Sequence, residues 1–221
     1  MVYKKIKRFF DILISSFLLI FLSPLIGIIS LMIFIVDGRP IIFKHPRVGK
    51  GKRLFMSYKF RTMVNNSERR DNGLSSKDFI TRTGGFLRAT HLDEVLQLFN
   101  VLKGDLSLIG PRALDVERYL YLAKKDKGWN RILKVKPGIT CINQLCRYHT
   151  HQEQKIYHKL GQVLSKRDRL LLDNYYVDHK GFILDMRILI WTINYMSWKF
   201  FNTSFIETKK GFLYLFRKKK D

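Results

Sequence analysis

The sequence predicts a mostly helical α+β protein in which a re-entrant N-terminal membrane element precedes a small cytoplasmic domain. Three observations lead to this fold class. An uncharged apolar run covers residues 12–36, short strand-like segments follow it, and later segments carry apolar residues at helical spacing. We divide the chain into a membrane helical hairpin at 1–36, a cytosolic domain at 37–180, and an interfacial amphipathic helix with a basic tail at 181–221.

The apolar run is long enough for a membrane helix, which needs about 20 residues. Ser23-Pro24 lies near its middle, and proline both removes a backbone donor and clashes with the preceding turn. Each half is too short to span alone. A cleaved signal peptide and a buried soluble helix fit less well, because the run lacks a small-x-small cleavage pattern and has no polar face.

Basic residues flank the run on both sides, so the positive-inside rule places both flanks in the cytoplasm. They are Lys4, Lys5, Lys7 and Arg8 before it, and Arg39, Lys44, Arg47, Lys50, Lys52 and Arg53 after it. One straight span cannot satisfy this arrangement. We therefore expect a helix-break-helix that enters and leaves through one leaflet, with the break at Ser23 and Pro24.

Short strands are predicted directly after the membrane element. Residues 41–43 and 54–56 flank a glycine- and lysine-rich turn at 49–52, which predicts a β-hairpin. Residues 58–63 alternate basic and apolar side chains, as in a strand with cations on one face. The polar stretch 64–83 is expected to be a loop.

Four helical segments are predicted further along. Residues 90–103 have helical periodicity, with Thr90 as the expected N-cap. Segments 115–135 and 152–177 are amphipathic. Segment 182–201 is apolar and aromatic but contains charged residues, which favours an interfacial helix over a span.

The charge balance is strongly basic. There are 41 Lys and Arg against 18 Asp and Glu, giving a net charge of +23. Such a field attracts nucleic acid, anionic lipid or phosphorylated substrates, and the basic residues 217–220 suit anionic lipid. The two cysteines do not form a disulfide framework. Cys141, Cys146, His149 and His151 invite a zinc hypothesis, but their spacing is not a common structural pattern.

Asp93 and Glu94 are the only carboxylates between Asp78 and Asp105. One interpretation is structural, because acids in a first helical turn complement the helix dipole and Thr90-x-x-Asp93 resembles a capping box. The other is catalytic. Neighbouring helix positions point about 100° apart, so one carboxylate can face a substrate while the other holds Mg²⁺. The residue pattern alone leaves both open.

A carboxylate that attacks a pyrophosphate meets like charge and needs cations to neutralise it. The candidates are Lys59, Arg61, Arg88 and Arg112. Gly110-Pro111-Arg112 predicts a tight turn that presents a guanidinium suited to phosphate recognition, although an ordinary surface turn has the same pattern.

Together these segments resemble the bacterial sugar transferase family, the monotopic phosphoglycosyl transferases. The matching pieces are the basic start before the Ser23-Pro24 helix, residues 58–63, residues 92–112 with Asp93-Glu94 and Gly110-Pro111-Arg112, residues 136–140, residues 173–177, and Asp185. The resemblance covers about residues 3–200.

The resemblance implies an enzyme that transfers a phosphosugar from a UDP-sugar to polyprenyl (undecaprenyl) phosphate. Asp93 would form a phosphosugar-aspartyl intermediate with release of UMP, and Glu94 would help to hold Mg²⁺. Lys59 and Arg88 match family cations near the phosphates, and Arg112 matches the residue near the nucleotide. The implied location is the cytoplasmic face of the bacterial inner membrane, with anionic lipids and downstream glycosyltransferases as further partners and no nucleic acid.

The chain departs from the family pattern in three places. Ala113 stands where a proline is usual, and Cys141-Ile142 where glycine and tryptophan are usual. Arg147, the expected further substrate-binding residue, stands one place early. Two other functions therefore stay open: an inactive scaffold of the same fold, and a membrane-anchored nucleic-acid-binding protein that uses the basic charge.

Overall fold

The computed structural model describes residues 2–64, 79–149 and 166–197 of the chain. Over these residues the fold is mostly helical with two small sheets, in agreement with the predicted class. The predicted loop at 64–83, the predicted helix at 152–177, the last residues of segment 182–201 and the basic tail lie wholly or partly outside the described residues.

The helices and strands follow one another in this order: α1 (Val2–Val36), β1 (Ile42–Val48), β2 (Leu54–Phe60), α2 (Gly84–Thr90), α3 (Gln97–Lys103), β3 (Ser107–Ile109), β4 (Leu114–Asp115), α4 (Val116–Lys125), β5 (Gly138–Thr140), α5 (Ile142–His149), α6 (Lys166–His179) and α7 (182–197). In the described part of the chain, 3-10 turns lie between them at Lys50–Lys52, Leu92–Glu94 and Lys127–Lys134.

Two sheets organise the strands. The first has the order β2-β1-β4, so the predicted hairpin strands are neighbours, and β4 pairs antiparallel with β1. The second is the parallel pair β3-β5, with Ser107 opposite Gly138 and Ile109 opposite Thr140. Parallel pairing requires a long crossover, which α4 and the following 3-10 turn provide.

Helix α1 runs without interruption through Pro24, so the predicted separation into two helices is not observed. A proline at this position leaves the carbonyl of Ile20, four residues earlier, without its usual amide donor. Ser23 Oγ donates to Ile20 O at 2.8 Å and replaces that bond. The helix is apolar and long enough to cross a membrane, and most of its apolar stretch is exposed.

The chain forms two compact units, and α1 is shared between them. The first contains residues 2–18, 45–57 and 97–196, and the second contains 19–44 and 58–96. The predicted boundaries at residues 36 and 180 describe position relative to a membrane and stay a prediction.

In the first unit, buried apolar side chains from four segments form a core. Its buried members are Val48, Tyr119, Leu122, Trp129, Ile132, Leu133 and Leu170. Burial of each such side chain contributes about 1.5–3 kcal/mol relative to exposure.

Two buried carboxylates connect α1 to the rest of the first unit. Asp11 Oδ1 accepts from Leu108 N at 3.0 Å and from Ser107 Oγ at 3.1 Å. Asp185 accepts from Lys7 Nζ and Tyr3 Oη, each at 2.7 Å. Asp185 therefore has a structural role in a helix whose other residues are mostly apolar.

Helix α7 shows the two-faced character expected of segment 182–201. Asp185 and Ile188 are buried, whereas Ile183 is 70% exposed. Ile190, Trp191, Ile193 and Met196 are also exposed. Such an apolar exposed face is typical of an interfacial helix.

In the second unit, the later part of α1 packs against the segment that carries the carboxylate pair. The buried core contains Ile29 and Ile33 of α1, Phe60 of β2, Leu87 of α2, and Leu96. Leu92 and Val95 pack against this core and immobilise the turn between them.

The single helix predicted over residues 90–103 is wrong. Thr90 is the last residue of α2 and not an N-cap, because its Oγ donates to Phe86 O at 2.9 Å within the same helix. His91 follows in the left-handed conformation, with φ of 59°, and ends α2. The 3-10 turn Leu92–Glu94 precedes α3, which begins only at Gln97. Apolar periodicity did not reveal this interruption because the 3-10 turn keeps Leu92, Val95 and Leu96 facing the core.

Candidate active site

Asp93 and Glu94 lie in the short 3-10 turn between α2 and α3. Glu94 N donates to His91 O at 3.2 Å, and Val95 N donates to Leu92 O at 3.3 Å. The turn therefore holds both carboxylates on a backbone fixed at each end by packing and hydrogen bonds. Thr90 belongs to α2 and no side-chain cap is made at His91, so the predicted capping box is not present.

Lys59 of β2 makes an ion pair with Glu94. Its Nζ lies 2.5 Å from Glu94 Oε1, and both side chains are less than one-fifth exposed. Charge-assisted hydrogen bonds of this kind are about twice as strong as neutral ones. The alternation predicted for residues 58–63 thus places one cation at the carboxylate pair.

Asp93 is 9% exposed and has a perturbed acidity. Burial raises the pKa of its carboxyl, and the neighbouring Glu94 charge raises it further. The positive charges of Lys59 and Arg88 act in the opposite direction. Two of the four predicted cations therefore act on Asp93, and a carboxylate so placed can approach an anionic centre that the same cations attract.

Arg61, another predicted substrate-binding cation, is engaged elsewhere in the second unit. It is buried, and its guanidinium donates to three backbone carbonyls that follow α1: Gly38 O at 2.8 Å, Arg39 O at 2.5 Å, and Asp37 O. Cations at a helix C-terminus offset the helix dipole. These contacts indicate a structural role, and substrate binding by Arg61 stays a prediction.

Arg112 and Pro111 lie in the first unit, beside the parallel pair β3-β5. Arg112 forms an isolated parallel bridge with Gly138, and Pro111 is fully buried. A Cβ on Gly138 would lie 2.1 Å from Gly110 N, so the two backbones approach more closely than any side chain permits. The predicted tight turn is thus a rigid support for Arg112.

Gln144 of α5 contacts the Arg112 side chain. With its amide oriented so that Nε2 donates to Ile139 O at 3.1 Å, its oxygen accepts a hydrogen bond from Arg112 Nη1. Arg147 lies in the same helix, and its side chain is outside the described part of the structure.

Cys141 and Asp173 are buried near this segment. Burial raises the pKa of the Cys141 thiol to about 12, so it is neutral at physiological pH. Burial also raises the pKa of Asp173 to about 7, against the hydrogen bond from Asn143 Nδ2 at 3.1 Å. Among residues 2–64, 79–149 and 166–197, no group of three or more His, Cys, Asp or Glu side chains could hold a metal ion. The remaining candidate zinc ligands lie outside the described side chains.

Two polar residues of consequence were missed by the sequence prediction. Asp37 accepts from Arg82 N at 3.1 Å and from Thr83 N at 3.3 Å, which fixes the start of α2. Gln144 is the second, because its amide contacts the Arg112 side chain. Nothing in the local pattern of either residue signals its partner, because the contacts join segments more than 30 residues apart.

Comparison with known proteins gives a family match over nearly the whole described chain. The family described as "Bacterial sugar transferase" matches residues 2–199. A Bacillus subtilis (strain 168) protein named "Uncharacterized sugar transferase EpsL" is 36% identical over 188 residues, which is 85% of each chain.

Two longer relatives have more specific names. The undecaprenyl-phosphate galactose phosphotransferase of Salmonella typhimurium is 41% identical over 161 residues, covering 63% of this chain and 32% of its own. The UDP-glucose:undecaprenyl-phosphate glucose-1-phosphate transferase of Klebsiella pneumoniae is 31% identical over 190 residues, covering 85% of this chain and 39% of its own. The present chain therefore spans about a third of the length of these relatives.

Proposed function

Because this chain belongs to the bacterial sugar transferase family, we propose that it transfers a sugar 1-phosphate from a UDP-sugar to polyprenyl (undecaprenyl) phosphate. The names of the Salmonella and Klebsiella relatives support this reaction class, since both specify undecaprenyl phosphate and transfer of a phosphorylated sugar or phosphate. The reaction would begin the membrane-bound assembly of a glycan.

The observation that carries the proposal is the environment of Asp93. It is a buried carboxylate with a raised pKa, next to Glu94 and under the positive charges of Lys59 and Arg88. A nucleophilic carboxylate that meets a diphosphate needs such cations, because otherwise like charges keep the reactants apart.

In the proposed first step, an Asp93 carboxylate oxygen attacks the β-phosphorus of the UDP-sugar. The bond from that phosphorus to the oxygen bridging the two phosphates breaks, and UMP leaves with the electron pair. In the second step an oxygen of polyprenyl phosphate attacks the same phosphorus and displaces Asp93. The products are polyprenyl diphosphosugar and the regenerated carboxylate.

Lys59 and Arg88 have two roles in this scheme. They neutralise charge that develops on the phosphoryl oxygens, and their positive charges favour the ionised form of Asp93 against the effect of burial. Lys59 also holds Glu94 in a fixed orientation through the 2.5 Å contact.

The two carboxylates of the site are suitable ligands for Mg²⁺. Mg²⁺ is commonly held by one or two carboxylates together with substrate phosphates, and the adjacent Asp93 and Glu94 offer that donor set. We propose that Glu94 is the protein ligand and that the donor diphosphate completes the coordination. The ion would supply further neutralisation of phosphate charge.

Arg112, with Pro111 as its rigid support, is the proposed contact for the donor nucleotide, and Arg147 is a further candidate. Guanidinium groups bind phosphate in a bidentate manner, which suits the α-phosphate that remains with UMP.

The proposed location is the cytoplasmic face of the inner membrane, with α1 entering and leaving one leaflet. Basic residues on both sides of the apolar stretch and the exposed apolar face of α7 support this placement, and both suit an anionic lipid surface. Downstream glycosyltransferases are the partners expected to take up the product.

A direct assay tests the proposal. Purified full-length protein in lipid nanodiscs is given a panel of UDP-sugars with undecaprenyl phosphate, with Mg²⁺ or with EDTA, and UMP release is measured. We expect Mg²⁺-dependent UMP release from at least one donor, loss of release in Asp93→Asn, and normal release in Asp178→Asn, which removes an exposed carboxylate. Absence of release from every donor would favour the inactive scaffold, and salt-dependent nucleic-acid binding that survives Asp93→Asn would favour the nucleic-acid binder.

A further inference from the structure

We propose that Gln144 is a positioning residue that orients the Arg112 guanidinium for the phosphate of a uridine nucleotide. This inference rests on the proposed function and extends it, because it assigns a role to a residue outside the carboxylate pair and its cations. Its basis is the contact between the Gln144 amide oxygen and Arg112 Nη1.

The backbone on which Arg112 stands cannot move independently of the segment that leads to α5. Gly110 N donates to Thr140 O at 3.1 Å, and Gly138 N donates to Pro111 O at 2.9 Å. A Cβ on Gly110 would lie 2.5 Å from Lys136 O, which shows how closely the two segments pack. With its backbone fixed, Arg112 can vary only through its side-chain torsions.

Gln144 removes much of that remaining freedom. Its Nε2 donates to Ile139 O at 3.1 Å, so one end of the amide is anchored on β5 and the other end accepts from the guanidinium. Its backbone N lies 3.4 Å from the buried sulfur of Cys141, which fixes the first turn of α5. An arginine side chain has many rotamers, so a guanidinium held in advance loses less entropy when it binds phosphate.

The absence of charge on Gln144 is as important as its position beside Arg112. The amide oxygen is uncharged, so it orients the guanidinium without adding a negative charge beside it. Cys141 adds no charge beside the guanidinium either, because burial raises the pKa of its thiol to about 12 and keeps the thiol neutral. A carboxylate at position 144 would have nearly the same shape but would make an ion pair that an incoming phosphate has to displace.

The experiment measures UMP affinity by isothermal titration calorimetry on the purified full-length chain in nanodiscs. Gln144→Leu removes the hydrogen bond, and Gln144→Glu keeps the shape but adds a charge. We expect each variant to weaken UMP binding about tenfold. We also expect Gln144→Leu to raise KM for the donor by a similar factor and to leave kcat at saturating donor within about twofold, as for lost ground-state binding.

Two controls separate positioning from general damage to α5. Asn143→Ala removes the neighbouring amide, which bonds Asp173 and not Arg112, and is expected to change UMP affinity by less than about twofold. In an Arg112→Lys background, where the planar group is gone, Gln144→Leu is expected to add less than about twofold.

Several outcomes would overturn the inference while leaving the proposed function intact. They are wild-type UMP affinity in Gln144→Leu or Gln144→Glu, an equal loss in Asn143→Ala, and an undiminished effect of Gln144→Leu in the Arg112→Lys background. Wild-type protein that binds no UMP would contradict the proposed function itself, and the inference with it.

Discussion

Lys59 Nζ donates a hydrogen bond to Glu94 Oε1 at 2.5 Å, and the same ammonium group lowers the pKa of the adjacent Asp93 against the effect of burial. One lysine on β2 thus acts on both carboxylates of the 3-10 turn. This relationship makes the pair a chemical unit.

Lys59→Gln is expected to reduce kcat/KM by on the order of 10²–10³-fold, similar to the removal of one preorganised charge-stabilising donor. Glu94 then loses its ion pair and Asp93 loses a nearby cation. Initial rates of UMP release measure the effect. Lys52→Gln, which removes an exposed lysine from the hairpin turn, is the matched control and is expected to retain wild-type rates.

The pH dependence of kcat/KM follows from the raised pKa of Asp93. A nucleophilic carboxylate must be ionised, so activity falls as the pH decreases through that pKa, which lies above the usual range for aspartate. Arg88→Gln removes a charge that favours ionisation, and we expect the acidic limb to move to higher pH by about one unit. As a control, Arg131→Gln removes one member of an exposed ion pair, and we expect it to leave the acidic limb of the pH profile in place. A limb that moves to lower pH in Arg88→Gln would contradict this assignment.

Pro24→Ala tests the role of the proline in α1. Alanine supplies the amide donor that Ile20 O lacks and removes the proline ring, so the variant loses the residue that disfavours a straight span. Single cysteines placed at Lys4 and Lys52, in a background without Cys141 and Cys146, report which side of the membrane each flank occupies through labelling with an impermeant maleimide. We expect both on the cytoplasmic side in the wild-type sequence and on opposite sides in a fraction of Pro24→Ala molecules. Opposite sides in the wild-type sequence would exclude the re-entrant arrangement.

Gly138→Ala is expected to destabilise the protein by about 1–3 kcal/mol or more, because the new Cβ would lie 2.1 Å from Gly110 N. The midpoint of thermal unfolding in detergent measures the loss. Gly85→Ala is the matched control, since a Cβ there meets no atom within 4 Å. Equal midpoints for the two variants would show that the close approach of these backbones does not constrain the fold.

The sequence predicted the main elements well where a single physical signal dominated. The apolar run became α1, the hairpin strands became β1 and β2, and the amphipathic face of segment 182–201 is present in α7. The prediction of helices from the sequence failed at residues 90–96. Helical periodicity there was real, but the left-handed conformation of His91 ended α2, and no local rule requires that conformation of a histidine.

The candidate site was predicted in part. The sequence supplied Asp93, Glu94, Lys59 and Arg88, and these residues act on one another in the second unit. Local alternation could not separate Lys59 from Arg61, because both lie on the same face of the segment and only tertiary structure directs Arg61 to the carbonyls after α1. The contact of Gln144 with Arg112 likewise depends on the pairing of β3 with β5.

The most direct test of the central claim is the mass of the intact protein after incubation with a reactive UDP-sugar and Mg²⁺ in the absence of polyprenyl phosphate. The account predicts an increase equal to one phosphosugar, located on Asp93 by peptide mapping, absent from Asp93→Asn, and discharged when undecaprenyl phosphate is added. An adduct on a different residue, or UMP release that occurs only when donor and acceptor are present together and leaves no adduct, would contradict it.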